Sequence, residues 1–143
     1  MRKIKIITVF ITISTLLLLA GCGPAKPSAL SNEQVVSLTS EVLTALDAGD
    51  YDLFTSQFSP DMLTAFPESG FEDLRNLLQT NSGGFVACSD EEPGLSNNKG
   101  YAIYRLICTY DLEDVVVTIV FKADGSQVEG LFFDSPNLRA ASK

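Results

Sequence analysis

The spacing of apolar residues after residue 30 first follows a helical period. From Val35 to Leu46, apolar residues recur three or four positions apart, which places them on one face of a helix. Ser31 and Gln34 have the spacing of a capping box, in which each side chain bonds the other residue's backbone N–H. Gly49 can end a helix in a left-handed conformation. The pattern therefore predicts an amphipathic helix between Ser31 and Gly49.

Three further signals extend the helical half of the chain to about residue 84. Asp50–Phe54 predicts one short helical turn. Ser59–Asp61 places a capping serine, a proline and an acid at the positions where helix starts accept them best. Glu68–Gln79 carries an apolar stripe at helical spacing and predicts a longer helix, which Gly83-Gly84 ends.

The rest of the chain alternates in the manner of β-strands. Asp124-Gly125 is a tight hairpin signal, and a second turn is predicted at Leu112-Glu113. These signals predict an α+β fold, with N-terminal helices packed on a four-stranded antiparallel sheet. The four predicted strands are Phe85–Ser89, Tyr101–Leu112, Val115–Ala123 and Gln127–Asp134.

The two turns determine which residues share a face of the sheet, because side chains alternate along a strand. Centring the turns places Tyr104 opposite Phe121 and Val117 opposite Phe132. One apolar face results, and we expect the helices to cover it. Its predicted members are Tyr104, Leu106, Cys108, Tyr110, Val115, Val117, Ile119, Phe121, Val128 and Phe132.

The opposite face of the predicted sheet is more apolar than contact with water requires. Either the C-terminal tail, Ser135–Lys143, covers part of this face, or a second molecule does. The second molecule would be another copy of the chain, giving a homodimer, or an envelope protein, since exposed apolar patches often mark contacts. The candidate interface residues are Ile103, Ile107, Val116, Val120, Leu131 and Phe133.

The N-terminus has the pattern of a secretory leader. Met1–Lys5 contains three basic residues, and the uncharged, mostly apolar run Ile6–Leu19 follows. This run is shorter than the roughly 20 residues that span a bilayer. Leu19–Cys22 reads Leu-Ala-Gly-Cys and resembles the lipobox of bacterial lipoproteins. The resemblance implies cleavage before Cys22 and lipid on its thiol; an uncleaved anchor helix is the alternative.

This resemblance sets the predicted organisation of the chain. Residues 1–21 form the signal peptide, residues 22–30 the lipidated N-terminus and linker, and residues 31–143 a single domain. Lipid on Cys22 would hold the protein at the extracytoplasmic side of a cell membrane, because several acyl chains on one cysteine give stable anchoring.

Composition argues against several classes of function. Three of the ten basic residues lie in the leader, so the mature chain keeps seven against 18 acidic residues, a net charge of −11. Such a domain is a poor candidate for binding nucleic acid, which is itself a polyanion. The chain has no His and therefore lacks the usual general base, the usual zinc ligand and the Ser-His pair. We therefore expect that the protein is not an enzyme.

Cys88 and Cys108 are the cysteines that remain beside the lipidated one, in a compartment where disulfides persist. If the turn between the first two strands centres on Asn98, these cysteines oppose each other directly. Opposed residues come close enough for a disulfide, which we predict. Two free, buried cysteines are the alternative.

Acidic residues cluster at strand ends, in Asp90–Glu92 and in Asp111–Asp114. Neither cluster has the ligand spacing of a calcium-binding EF-hand loop. We therefore predict solvated turn charges, and neither a metal nor another cofactor.

Three segments, Ala45–Asp52, Phe58–Asp61 and Asp124–Phe133, resemble the nuclear transport factor-like (cystatin-like) superfamily. More closely, the chain looks like an uncharacterised small lipoprotein family with this domain, which is also found fused ahead of α/β-hydrolases. The resemblance spans about Ser31 to Asp134 and implies a curved sheet wrapped around the helices as a cone. The family has no agreed activity to carry over. Enzymes of the wider superfamily usually place an Asp in the cone, whereas the inward-facing residues named above include no acid.

Tyr104 and Tyr110 place hydroxyl groups on the apolar wall of the predicted cone, the composition of a small-molecule pocket. The alternative is that both are core residues. We expect a non-catalytic ligand-binding or protein-interaction module. The alternatives are a small enzyme that uses a carboxylate in the cone and a structural accessory of an envelope complex. The candidate pocket residues are Tyr104, Leu106, Tyr110, Val117, Ile119, Phe121 and Phe132.

Overall fold

The computed structural model describes residues 29–142. The predicted signal peptide, the lipidation site Cys22 and most of the linker lie outside the described residues. Within the described range the elements, in chain order, are α1 (Asn32–Ala48), α2 (Tyr51–Thr55), α3 (Pro60–Ala65), α4 (Glu68–Asn81), β1 (Phe85–Cys88), β2 (Gly94–Asn98), β3 (Tyr101–Tyr110), β4 (Asp114–Lys122), β5 (Val128–Asp134) and α5 (Pro136–Ala141).

The first helix begins and ends at the residues that the sequence predicts. The Ser31 hydroxyl accepts a hydrogen bond from the Gln34 N–H, and the Gln34 side chain accepts one from the Ser31 N–H. Gly49 ends α1 in a left-handed conformation with φ of 78°, where a side chain would be strained. Its N–H donates to the Leu46 carbonyl. These contacts satisfy backbone groups at both ends of α1 without a partner from another element.

The sheet is antiparallel and has five strands in the described chain, one more than predicted. Every residue of the additional strand, β2, is exposed, and Leu95 is its single large apolar side chain, so β2 lacks the alternation that identifies a half-buried strand. β2 pairs with the first half of β3, and β1 pairs with its second half, so both lie along the same edge of β3. The turn from β2 to β3 is formed by Lys99 and Gly100, both with positive φ, rather than being centred on Asn98.

The hairpin of β3 and β4 is shifted by two residues from the predicted register. Tyr104 lies opposite Ile119 instead of Phe121. The shift arises because the chain turns at Asp111 and Leu112, one residue earlier than predicted, with the Tyr110 N–H donating to the Glu113 carbonyl. A shift by two residues leaves every side chain on its predicted face.

The pairing of β4 with β5 contains a bulge that the sequence analysis missed. Phe121 lies opposite Val128 as predicted, but Val120 then lies opposite Gly130, so Glu129 is an extra residue. An extra residue in one strand reverses the facing of everything beyond it. The predicted facing of the last three apolar residues of β5 is therefore wrong. Phe132 points to the outer face, and Leu131 and Phe133 pack against the core.

The helices cover one face of the sheet, here called the inner face, and share a hydrophobic core with it. The C-terminal helix α5 lies on this same side, against α4 and β5, and Leu138 joins the core. The prediction that the tail covers the other face is therefore wrong for the described part of the tail. The fully buried core side chains include Val35, Val42, Leu43, Phe54, Phe71, Tyr104, Val115, Val117, Ile119, Phe121 and Val128.

Candidate functional site

The predicted pocket inside the fold is occupied by its own side chains. Six of the seven candidate pocket residues are on the inner face and at most 4 % exposed: Tyr104, Leu106, Tyr110, Val117, Ile119 and Phe121. The Tyr104 ring packs edge-on against the Phe121 ring, with 6.0 Å between the centroids. These residues form a core of the usual close packing. The seventh, Phe132, points away from it.

A small space beside Tyr110 lies between α1, α4 and β1. It holds about 10 Å³ and is lined by Leu43, Leu46, Leu78 and Phe85, with Asp47 and Arg75 at its rim. A volume of about 10–15 Å³ accommodates one water molecule. The space is therefore too small for an organic ligand.

Asp47 is the acid that lines this space, and two of its oxygen atoms already accept hydrogen bonds. One carboxylate oxygen accepts a hydrogen bond from the Phe85 N–H at 3.3 Å, and its backbone carbonyl accepts one from Arg75 Nε at 3.2 Å. Burial, helped by the negative charge of Asp47, raises the pKa of Tyr110 far above its ordinary value. Tyr110 is therefore protonated at neutral pH. Through its hydrogen bond with the Phe85 N–H, Asp47 links the end of α1 to β1.

The predicted disulfide between Cys88 and Cys108 is confirmed. The two residues are directly opposed in the pairing of β1 with β3. The disulfide ties the shortest strand to the centre of the sheet and closes a loop with a sequence separation of 20. This places the cysteines in a structural role.

The acidic residues of the β3–β4 turn are bonded rather than simply solvated. One oxygen of Glu113 accepts hydrogen bonds from the hydroxyls of Ser82 (2.8 Å) and Ser135 (2.6 Å), and the other accepts one from the Asn137 N–H. Glu113 therefore joins the end of α4, the β3–β4 turn and the start of α5.

The same contacts set the acidity of Glu113. Burial raises its pKa, but the hydrogen bonds from Ser135, Ser82 and Asn137 and the charge of Arg139 outweigh burial and lower the pKa below its ordinary value. Glu113 is thus ionised when the domain is folded at neutral pH. Among residues 29–142, no group of three or more acidic or cysteine side chains is arranged to hold a metal ion.

The face of the sheet opposite the helices, here called the outer face, exposes apolar side chains in adjacent rows. Ile103 lies opposite Val120, and Ile107 lies opposite Val116. Phe132 is 62 % exposed and Ile107 51 % exposed. Four of the six candidate interface residues are thus on this face, and Phe132 takes the place of the two that turn inward.

The bulge in β5 shapes one end of the outer face. A Cβ on Gly130 would lie 3.1 Å from the Phe132 ring, so the ring lies over the glycine. A shallow groove of about 260 Å³ runs beside it, lined by Tyr101, Ile103 and Val120 among others. A glycine inside a strand is a known signal of a bulge. Gly130 could therefore have identified the outward facing of Phe132 from the sequence.

The strands of the outer face carry charges of both signs, and two of these charges are paired within the chain: Lys122 with Glu129, and Asp134 with Arg139 of α5. Arg105 lies in the middle of β3, Lys122 lies at one end of β4, and Asp114 and Asp134 lie at the other end of the sheet. The hydrogen bond and negative charge of Glu129, 3.2 Å from the Lys122 Nζ, raise the pKa of Lys122. This face is much less acidic than the chain as a whole.

Comparisons with protein-family models, curated proteins and solved structures gave no match. No helix in the described part of the chain is long and apolar enough to cross a membrane. The geometry of the outer face is therefore the main structural information about function.

Proposed function

We propose that this chain is a lipoprotein, anchored to the extracytoplasmic side of a cell membrane through Cys22, whose domain is a non-catalytic protein-interaction module. The observation that carries the interaction role is the outer sheet face, where Phe132 and Ile107 are more than half exposed. Apolar side chains grouped on a flat surface lose contact with water when a partner binds, which is favourable by about 25 cal/mol per Å².

The anchor part of the proposal rests on the sequence of the leader. Basic residues, a short apolar run and Leu-Ala-Gly-Cys occur in the order that lipoproteins require. The domain begins at α1, whose first residue, Asn32, is ten residues after Cys22, so the domain would lie close to the bilayer.

We also propose that the domain is a cystatin-like cone. Four helices, α1 to α4, precede the sheet, the helices pack on its inner face, and the strands after β2 follow in chain order, β3-β4-β5. The bulge at Glu129 supports a curved sheet, because bulges bend and twist the strand that contains them.

A protein-interaction role accounts for the structure better than the two alternatives that need a pocket. Tyr104 and Phe121 fill the interior, and the space beside Tyr110 holds no more than one water. One oxygen of the Asp47 carboxylate, which lines that space, accepts a hydrogen bond from the Phe85 N–H. A small-molecule binder or an enzyme with a carboxylate in the cone therefore has less support. A structural accessory of an envelope complex would use the same outer face.

The anchor is tested by Cys22→Ser in the full chain, expressed in a bacterium. We expect the wild type to incorporate labelled palmitate and to sediment with membranes, and the variant to lose the label and to retain its leader. The reason is that serine has no thiol to accept the lipid. A variant that stayed membrane-bound at the mature size would refute lipid anchoring.

The interaction surface is tested by placing the photoreactive residue benzoylphenylalanine at position 132 and, as a control, at position 53. Leu53 is 53 % exposed on α2, away from the outer face. After irradiation of cells, we expect a specific protein adduct from position 132 and none from position 53. Equal labelling at both positions, or none at position 132, would contradict the proposal.

A further inference from the structure

The last strand of the sheet, β5, has a free edge. β4 pairs with one side of β5, and in the described chain no strand pairs with the other side. A bridge between Phe58 and Val128 covers the start of that side, where the Ser59 N–H donates to the Val128 carbonyl. The helix α5 begins directly after the strand, at Pro136. The free edge is therefore the stretch Gly130–Asp134, which is bounded at both ends.

Two residues of this edge direct backbone hydrogen-bonding groups away from the sheet. In an antiparallel ladder, alternate residues bond the same neighbour with both N–H and C=O. The Tyr110 N–H donates to the Glu113 carbonyl at the β3–β4 turn, so the odd-numbered residues of β4 bond β3 and the even-numbered ones bond β5. The latter lie opposite even-numbered residues of β5. Leu131 and Phe133 therefore point their N–H and C=O groups outward, and within residues 29–142 no other element bonds these four groups.

An apolar groove of about 400 Å³ lies between α4, β5 and α5, directly beside this edge. Four consecutive residues of β5, Leu131–Asp134, line it. Because side chains alternate between the two faces of a sheet, a groove with this lining runs along the edge of the strand. Its wall on α4 includes Leu74 and Leu77, and Leu77 is 44 % exposed. The edge and the groove thus offer hydrogen bonds and apolar contacts to the same molecule.

The facing of β5 determines which molecule fits. The side chains of Leu131 and Phe133 lie on the inner side and line the groove, whereas Phe132 lies on the outer face. Directly opposed residues of an antiparallel pair share a face of the sheet. A strand added at this edge would place every second side chain into the groove and the intervening ones beside Phe132. The geometry therefore selects an extended peptide with apolar residues at alternate positions, which is recognition by strand addition.

The charges around the groove favour a basic peptide. Asp134, at one end of the groove, is already paired with Arg139. Asp73 lies on α4 one turn before Leu77, so the two side chains are neighbours on the helix surface. Asp73 takes part in neither of the two ion pairs of residues 29–142. A lysine or arginine next to the apolar residues of the peptide would therefore be attracted to this rim.

From these observations we infer that the β5 edge and its groove bind an extended basic segment of a different protein, which joins the sheet antiparallel to β5. The inference deepens the proposed interaction role and rests on it. Leu131 and Phe133 form the backbone hydrogen bonds, Leu77 contacts the inserted apolar side chains, and Asp73 attracts a basic residue. Phe132 borders both this groove and the groove on the outer face, so the added strand would extend the proposed interaction surface.

An array of immobilised peptides of about seven residues, long enough to cover the edge, tests the site. Each peptide has a basic residue at both ends, threonine at alternate positions, and Leu, Ile, Val, Phe or Tyr at the positions between. We expect the labelled full chain, held in phosphatidylcholine nanodiscs, to bind a subset of them. Leu77→Lys should weaken binding at least tenfold, because it places a charge in the apolar groove. Leu53→Lys, the control on α2, should bind like the wild type. No binding to any peptide, or equal losses in both variants, would overturn the inference.

Methylation of the peptide backbone distinguishes strand addition from simple burial of apolar side chains. In the tightest-binding peptide, methyl groups on the nitrogen atoms of the apolar residues remove the N–H groups that face β5. Methyl groups on the threonine nitrogen atoms remove the N–H groups that face away. The first peptide should bind wild-type protein at least tenfold more weakly than the second. Equal affinities would refute strand addition, and this comparison does not depend on the folding of a variant.

Photocrosslinking in isolated membranes separates failure of this inference from failure of the proposed function. Benzoylphenylalanine at position 77 reports on the groove, and at position 107 on the centre of the outer face. An adduct of position 77 with a different protein, suppressed by excess of the tightest-binding peptide, supports the peptide site. Adducts from positions 107 and 132 without one from position 77 would overturn the peptide site and leave the outer face as the interaction surface. An adduct of position 77 with twice the mass of the chain would overturn a different protein as the occupant. The absence of adducts at all three positions would remove both proposals.

Discussion

The two faces of the sheet are built from the same types of residue but have different surroundings. Val117 and Ile119 on the inner face are fully buried, whereas the neighbouring Val116 and Ile107 on the outer face are 36 % and 51 % exposed. The inner face is covered by helices of the same chain and is filled without a ligand. The outer face offers isoleucine, valine and phenylalanine to whatever approaches it. An apolar residue on the inner face therefore stabilises the fold, whereas an apolar residue on the outer face indicates a contact with another molecule.

The largest expected difference between the faces is in the stability of the folded domain. Ile119→Ala should lower the free energy of unfolding by about 3–4 kcal/mol, because it leaves a cavity in a close-packed core. Ile107→Ala should lower it by less than about 1 kcal/mol when measured on dilute, monomeric protein. Thermal or urea unfolding followed by circular dichroism gives both values. Equal losses would show that the outer face is also covered within one chain.

The facing of β5 is tested by adjacent substitutions on the two sides of that strand. Leu131→Asp should destabilise the domain by about 2 kcal/mol, because Leu131 packs against the core and a carboxylate there would lose water. Phe132→Asp should cost less than about 1 kcal/mol in the monomer, since that ring is 62 % exposed. The reverse order of the two losses would favour the register without a bulge.

The smallest expected effect comes from polar contacts at the rims of the two faces. Glu113→Gln should cost about 1–2 kcal/mol at pH 7, because the amide cannot accept all the hydrogen bonds of the carboxylate. The control is Lys122→Gln, which removes an exposed ion pair with Glu129 and should produce no resolvable change in the melting temperature.

The pH dependence of the Glu113 variant follows from the sign of its pKa shift. The pKa of Glu113 is lower in the folded protein than its ordinary value of 4.5. The contribution of the Glu113 carboxylate to the free energy of unfolding is therefore complete above about pH 4.5. It is lost as the pH falls through the pKa that Glu113 has in the folded protein. The difference in melting temperature between the wild type and Glu113→Gln should shrink below that pH. A difference that stays constant down to pH 3 would contradict this role.

Local signals in the sequence were sufficient for most of the elements. The capping box at Ser31, the glycine after α1 and the hairpin signal at Asp124-Gly125 act over a few residues, and the structure has helix ends and a turn there. The opposed cysteines were also predictable, although the turn used to derive them was wrong. β1 and β2 occupy successive stretches of one edge of β3. The register between β1 and β3 nevertheless places Cys88 opposite Cys108, as the predicted turn did.

The candidate site could be predicted only in part, because it depends on an extra residue in one strand. The bulge at Glu129 reversed the facing of Phe132, and no period-two pattern contains that information. The filling of the space between the helices and the sheet was not predictable either. The alternation along β3 places Tyr104 on the inner face whether its side chain lines a pocket or packs against Phe121. The way the helices pack on that face decides between the two.

The sequence by itself determined where most of the helices and strands occur and which face of β3 and β4 is buried, because these depend on local spacing and on residue type. The tertiary structure decided the register, the number of strands, the partners of Glu113 and the side to which α5 folds. These features arise from contacts between residues far apart in the chain. Each such contact is chosen by how well whole elements pack together, which the pattern within one element does not specify.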